Sequence, residues 1–238
     1  VTGGPPPPNI SSFGGFGGSP YMNIYGYPEE LDYKNIVPPP PNVIGVDAFA
    51  RVAPEKFELP AEFKAKVKPG DKLIYFSMGS MGSANTDMVN RILELVTDSR
   101  HKFIVSTGPL YEDVKLPENA WGQAFLPQTK ALALVDLVIT HGGNNTVTES
   151  FILGKPMIVM PLFGDQWDNA TRVQETGFGV QMNPFECTKE ELNGAIDKLL
   201  HDEELAKRLK AAANRITTSN SKEKAVIELE KLVEKHRK

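Results

Sequence analysis

The sequence predicts an α/β domain in which helices cover both faces of a doubly wound parallel sheet. Three observations carry this. From Lys72 onward, short apolar runs alternate with stretches whose apolar residues recur at helical spacing. The short runs end in Gly or Pro, the residues that punctuate strand ends. Strands separated by helices build βαβ units, and βαβ units require parallel strands joined by helical crossovers.

The elements follow in order. Leu73–Met78 is a short apolar run closed by Gly79 and reads as a buried strand. Met88, Ile92, Leu95 and Val96 recur on one helical face. Lys102–Ser106 is a second strand, ended by Gly108-Pro109, and Asp136–Thr140 a third, bounded by His141-Gly142-Gly143. Pro156–Met160 is a fourth strand and Phe178–Met182 a fifth. Helical patterns lie near 145–153, 166–176, 188–200 and 203–216, and Lys222–Lys235 sets Val226, Leu229, Leu232 and Val233 on one face of a last helix. Met78, Met81 and Met88 read as core.

Upstream, residues 1–20 are mostly Gly and Pro, with runs at Pro5–Pro8 and Gly14–Gly18, and are expected to be disordered. Tyr21–Tyr33 is rich in aromatics; Tyr21, Ile24, Tyr25 and Leu31 are expected to pack against something. Pro38–Pro41 reads as a stiff extended linker, and Asn42–Phe49 as a first strand.

Composition narrows the function classes. The chain has 238 residues, a net charge of -4, and hydrophobic and charged fractions of 40% and 24%. Mild acidity gives no reason to expect a nucleic acid or an anionic membrane as partner. Cys187 is the single cysteine, so an intrachain disulfide is impossible, and no Cys/His cluster has zinc spacing. A metal site is not expected, and the setting suggested is reduced and cytoplasmic. The longest apolar runs, Ala131–Ile139 and Pro156–Phe163, fall short of the ~20 residues of a membrane span. No basic region followed by an apolar one marks the start as a leader.

The chemistry concentrates in Phe125–Asn169. The third strand runs into His141-Gly142-Gly143-Asn144-Asn145-Thr146, and a helix follows. Two glycines allow a sharp turn and close approach of the backbone to a ligand. The helix start offers unpaired N–H groups and the positive end of the macrodipole, a ready site for a pyrophosphate. His141, Asn145 and Thr146 can add hydrogen bonds, and Glu149 can accept from sugar hydroxyls. After the next strand, Asp165 and Gln166 set an acceptor and an amide at a strand-to-helix corner, which suits a polyhydroxylated ligand.

Pro127-Gln128, Thr140-His141-Gly142-Gly143-Asn144-Asn145-Thr146, Glu149, Gly154-Lys155-Pro156-Met157, Pro161 and Asp165-Gln166-Trp167-Asp168-Asn169 stand in the order of a known signature. The chain thereby resembles the UDP-glycosyltransferase family. Phe76-Ser77-Met78-Gly79-Ser80 is similar to the loop after the first strand of that family's donor domain. The resemblance implies a GT-B fold, two Rossmann-like domains facing across a cleft. The C-terminal domain would hold the UDP-sugar, and an N-terminal domain the acceptor and the catalytic base. It implies that Phe125 stacks on uracil with Gln128 beside the nucleoside, and that Glu149 binds the ribose. Ser80, His141, Gly143, Asn145 and Thr146 would surround the diphosphate, and Asp165 and Gln166 would hold the transferred sugar. No cofactor beyond the UDP-sugar is implied. Residues 1–20 would be a flexible segment, 21–60 the end of the acceptor domain and the linker, 61–220 the donor domain, and 221–238 a C-terminal helix. No residue of this chain takes the place of the family's general base, so the chain alone is expected to be inactive toward an acceptor. Phe125 stands where many members have Trp, and Asn144 where the plant branch usually has an aromatic.

Plainer readings compete. Thr146-Val147-Thr148-Glu149 has the spacing of a capping box, and Asp165 that of an N-cap with Asp168 completing a box. Gly79–Gly82 could be only a tight turn. Trp121 rivals Phe125 as a stacking platform. In function, a non-catalytic nucleotide-sugar module or one subunit of a split transferase stands beside the hexosyltransferase reading.

Overall fold

A computed structural model describes residues 18–34, 36–49 and 56–237 of the chain. The Gly/Pro tract before residue 18, on which disorder was expected, lies outside the described residues. Two short strands, β1 (Asn23–Gly26) and β2 (Val43–Val46), pair in parallel. The remaining six are β3 (Leu73–Ser77), β4 (Lys102–Ser106), β5 (Ala120–Gln123), β6 (Leu137–Thr140), β7 (Met157–Val159) and β8 (Gly179–Gln181). They form one sheet in the order β5-β4-β3-β6-β7-β8, and every neighbouring pair is parallel. This is the expected doubly wound α/β sheet. Each strand read from sequence is present; Lys102–Ser106 keeps its bounds and the others are trimmed by one or more residues.

The helices are α1 (Ala61–Lys64), α2 (Gly79–Gly82), α3 (Thr86–Leu95), α4 (Gln128–Leu134), α5 (Asn144–Ile152), α6 (Gln166–Glu175), α7 (Lys189–His201), α8 (Glu203–Thr218) and α9 (Ser221–His236). From β3 the chain winds outward to β5 in one direction, then returns to β6 and winds to β8 in the other. With right-handed crossovers, the two halves must place their helices on opposite faces. The contacts agree: α3 packs on α7, while α4, α6 and α8 pack on α5. Caps fix several helix starts. Asn85 accepts from the Met88 N–H, Asp202 from Leu205, and Thr188 forms a full capping box with Glu191.

Ile74, Ile104, Leu137, Val138 and Ile158 have no exposed surface, as expected of strands covered on both sides. Met78 and Met88 join this core, but Met81 is 74% exposed, contrary to expectation. It sits on the short helix α2, whose buried residue is Gly82.

Part of the upstream segment belongs to the same packed unit. Leu31 is fully buried in the core. Arg172 of α6 donates to the carbonyls of Leu31 (2.7 Å) and Asp32 (3.0 Å), and its guanidinium carbon lies 4.6 Å from the Tyr33 ring centroid. Arg215 of α8 grips both Glu30 oxygens at 2.6 and 2.7 Å and Asp47 at 2.7 Å. Tyr21 and Ile24, expected to pack, are instead 60% and 40% exposed. On α9, Ala225 is buried, while Val226, Leu229 and Val233 of its apolar face are exposed. No described helix is long and apolar enough to cross a membrane.

Arg215→Ala is expected to lower stability by about 2 kcal/mol, because it strips charge-assisted bonds from two carboxylates. Burial raises the Asp47 pKa, but bonds from Arg215 and neighbouring serines outweigh it and hold the carboxyl below its ordinary range. This contribution is therefore complete at neutral pH and fades as pH falls through the folded-state pKa. Urea unfolding at several pH values should show the gap between wild type and variant closing on acidification.

Candidate functional site

The strand order reverses between β3 and β6, and ligands of such sheets bind outside the carboxyl ends at this seam. A cavity of about 640 Å³ opens there. Its walls come from the loops after β3, β4 and β6 and from the start of α4. That volume lies within the usual range for small-molecule sites.

The floor is the turn from β6 into α5. Gly142 has φ +88°, and a Cβ there would lie 2.5 Å from Val159 Cγ1, so only glycine fits. The Asn169 amide donates to the Gly142 carbonyl at 2.8 Å in a buried contact and holds the turn from behind. Gly143 is the N-cap of α5 and has no capping side chain. The N–H of Val147 bonds the Gly143 carbonyl, so Asn144, Asn145 and Thr146 precede the first residue whose N–H has an i−4 acceptor within the helix. Their N–H groups and the positive helix end are available to an anion.

His141 stands between the two strand ends. A Cβ on Gly79 or on Gly143 would come within 2.6 Å of its Nε2, so both glycines make room for the ring. Its Nδ1 lies 3.3 Å from Thr140 Oγ1. Burial pushes the imidazole pKa below 6.5, against the opposing charge of Asp165 and a backbone hydrogen bond at Ser77. At neutral pH the ring is therefore an uncharged hydrogen-bonding group.

On the opposite wall, Glu149 of α5 is 5% exposed. The Gln128 Nε2 donates to its Oε2 at 2.6 Å and to Thr146 Oγ1 at 3.2 Å. The Tyr75 hydroxyl donates to Gln128 Oε1 at 3.3 Å. The capping-box reading of Thr146 and Glu149 is overturned: α5 starts at Asn144, which places Glu149 inside the helix, facing Gln128 rather than the helix start. Gln128 has both amide hydrogens committed to protein acceptors. Phe125 stands on the cavity rim, 65% exposed, a flat apolar face offered to solvent. Trp121, its rival, packs instead on Phe57 and Phe63 at centroid distances of 6.2 Å. Ser80 is exposed on α2, and Asn145 is exposed at the start of α5; both border the cavity. The Gly79–Gly82 turn is this short helix.

Asp165 and Gln166 lie at the corner after β7, outside the cavity wall. Asp165 is exposed, occupies the N-cap position of α6 without a side-chain capping bond, and acts electrostatically on His141. Gln166 is 4% exposed, and its Oε1 accepts from the Leu162 and Phe163 N–H groups at 2.9 and 3.1 Å. Its carbonyl end thus holds the loop, which its neighbours in sequence did not reveal. Tyr75 and the loop-bracing role of Asn169 were also missed. Tyr75 reads in sequence as one more apolar strand residue, and only the pairing of strands and α4 brings its hydroxyl to the site.

The profile of the family described as "UDP-glucoronosyl and UDP-glucosyl transferase" matches residues 31–215. The chain belongs to this family. Over 193 residues it is 28% identical to the NDP-glycosyltransferase YjiC of Bacillus subtilis (strain 168), covering 79% of this chain and 49% of that protein. Over 151 residues it is 34% identical to the Homo sapiens UDP-glucuronosyltransferase 1A9, covering 60% of this chain and 28% of that protein. The chain thus spans half or less of the length of these curated relatives. Among solved structures, the calicheamicin glycosyltransferase CalG4 superposes with TM-score 0.73 over 91% of this chain and 53% of its own, at 18% identity. The glycotransferase of kitacinnamycin gives 0.72 over 90% and 55%, at 22% identity. These two share the fold, the expected Rossmann-like half of a GT-B transferase.

The His141 resonances should titrate below pH 6.5 in NMR. Because the folded ring resists a proton that the unfolded ring accepts, this group lowers stability as pH falls below that value. Gly143→Ala keeps an allowed backbone (φ -58°) but forces the ring outward. It should bring the titration back toward 6.5.

Proposed function

We propose that this chain is the donor-binding part of a UDP-glycosyltransferase that moves a hexosyl group, with inversion, from a UDP-sugar to a small lipophilic acceptor. The observation that carries the reading is the start of α5: a helix end with three N–H groups lacking intrahelical acceptors, at a cavity that also presents a neutral imidazole and a buried carboxylate. In this reading the diphosphate sits on the N–H groups of Asn144, Asn145 and Thr146, with His141, Gly143 and Ser80 around it. The ribose hydroxyls bond Glu149, and uracil lies on Phe125 beside Leu126 and Gln128. The hexose extends past His141 toward Asp165 and the Gln166 corner.

The chemistry required is displacement of UDP at the anomeric carbon. Negative charge grows on the leaving diphosphate, and dipoles preorganised at its oxygens stabilise that charge without reorganising. No lysine or arginine borders the cavity among the described residues. The proposed stabilisation is therefore dipolar, from backbone N–H groups, hydroxyls and a neutral imidazole, without a metal. The acceptor hydroxyl also needs a base within hydrogen-bond reach. His141 faces the proposed phosphate and Glu149 the ribose, so the base and the acceptor wall are assigned to a further domain and the chain alone is inactive toward an acceptor. A reduced, cytoplasmic setting is part of the same proposal and rests on the single buried thiol of Cys187.

Calorimetry with the chain tests the reading. UDP should bind equally well with and without chelator, and moderate added salt should change its affinity by less than about twofold, because no fixed cation is screened. His141→Ala should weaken UDP roughly 10-fold more than uridine, the loss of one hydrogen bond to a charged phosphate. Equal losses for the two ligands would move His141 off the diphosphate.

The sugar end gives a second contrast. Asp165→Ala should leave UDP affinity unchanged and weaken a UDP-hexose. Gln166→Ala should weaken both, because it releases the loop at Leu162 and Phe163. The same titrations read both variants, and loss of plain UDP binding in the Asp165 variant would remove that residue from the sugar.

A further inference from the structure

Tyr75 occupies the middle of β3, paired with Ile104 of β4 and Val138 of β6, and is 1% exposed. Central strand positions ordinarily carry purely apolar side chains. Here a phenol is buried with its hydroxyl directed to the cavity wall, 3.3 Å from Gln128 Oε1.

The chemistry of Gln128 sets the direction of every bond in this chain of contacts. Its other amide atom lies 2.6 Å from a carboxylate oxygen of Glu149 and 3.2 Å from Thr146 Oγ1. Were the amide turned over, its oxygen would face the carboxylate, acceptor against acceptor. The nitrogen must therefore face Glu149, and the oxygen must face Tyr75. An amide oxygen only accepts, so the phenol must donate. The nearby Ser77 and Ser106 hydroxyls bond elsewhere, to the Gly79 N–H and the Ala124 carbonyl, which leaves Gln128 as the partner of the phenol. Burial pushes the Tyr75 pKa up to about 12, so the required proton stays in place across the working pH range.

We infer that Tyr75 is a positioning residue: it locks the Gln128 amide, and through it orients the Glu149 carboxylate toward the vicinal hydroxyls of a bound ribose. The inference rests on the reading of Glu149 as the ribose acceptor. Gln128 occupies one side of Glu149 Oε2, leaving the other lone pairs of the carboxylate for the cavity. A phenylalanine at position 75 fills the same space but gives Gln128 no donor. The amide can then rotate, and the carboxylate loses its fixed direction.

The test is calorimetry on the full chain with two probes, UDP and 2′,3′-dideoxyuridine diphosphate. Tyr75→Phe should weaken UDP roughly 3- to 10-fold, the range of one neutral hydrogen bond. It should leave the dideoxy analogue unchanged, because that ligand has no ribose hydroxyls for Glu149 to bind. A residue that merely supports packing would weaken both probes alike, and that result would overturn the inference. Gln128→Met removes the link without removing bulk. It should weaken UDP more than the dideoxy analogue, and in its background Tyr75→Phe should cause no further loss; additive losses would sink the relay. If Tyr75→Phe does not fold, Gln128→Met alone still decides, since unchanged UDP affinity there refutes the inference. Glu149→Gln separates the two levels. If it leaves UDP binding intact, the ribose reading itself fails. If it weakens UDP while Tyr75→Phe does not, only the role of Tyr75 fails.

Discussion

The site depends on one backbone constraint: the chain must leave β6 and begin α5 without capping its first turn. Helices can satisfy their opening N–H groups with a side chain, and α3, α7 and α8 of this protein do so, while α1, α2, α4, α6 and α9 start without one, as α5 does. At α5 the N-cap is a glycine, which supplies no side-chain acceptor. The free donors are tolerated because they face a solvent-filled cavity rather than the core. Gly142 turns the chain where only a glycine can, and Asn169 holds that turn from the far side. Gly79 and Gly143 leave a slot for the His141 ring. Each of these residues follows from the need to keep one helix end open and still.

Electrostatically the site is built from dipoles. An uncharged imidazole and a row of helix-start N–H groups line the cavity, and no lysine or arginine borders it among the described residues. Burial lowers the His141 pKa and raises that of Tyr75, favouring the uncharged form of each. The same withdrawal from water strengthens each hydrogen bond in the cavity wall.

Much of this was legible in the sequence, and the reasons differ by element. The four interior strands of the large sheet announced themselves because parallel strands buried on both faces read as apolar runs. β5 did not, since Ala120-Trp121-Gly122-Gln123 is an edge strand with a glycine and a polar end. α4 was hidden because Ala131–Leu134 runs almost directly into the apolar β6, with only the extended Val135 and Asp136 between them. The turn from β6 into α5 was visible because glycines and a helix start have a local pattern. The capping-box reading of Glu149 failed for a related reason: local spacing cannot say where a helix begins, and Gly143 starts it earlier than Thr146. Gln166 shows the limit most clearly. Its residue type suits a sugar, yet its carbonyl is spent on two backbone N–H groups that no sequence pattern reveals.

The grip of Arg172 and Arg215 on residues 30–33 and 47 bears on how the chain can be dissected. A cut placed just before α1, the element that precedes the first strand of the six-stranded sheet, would remove Leu31 from the core. It would also leave two arginines facing empty space where Glu30, Asp47 and two carbonyls had been. A unit that keeps these contacts therefore reaches back at least to Glu30, and a shorter one loses them.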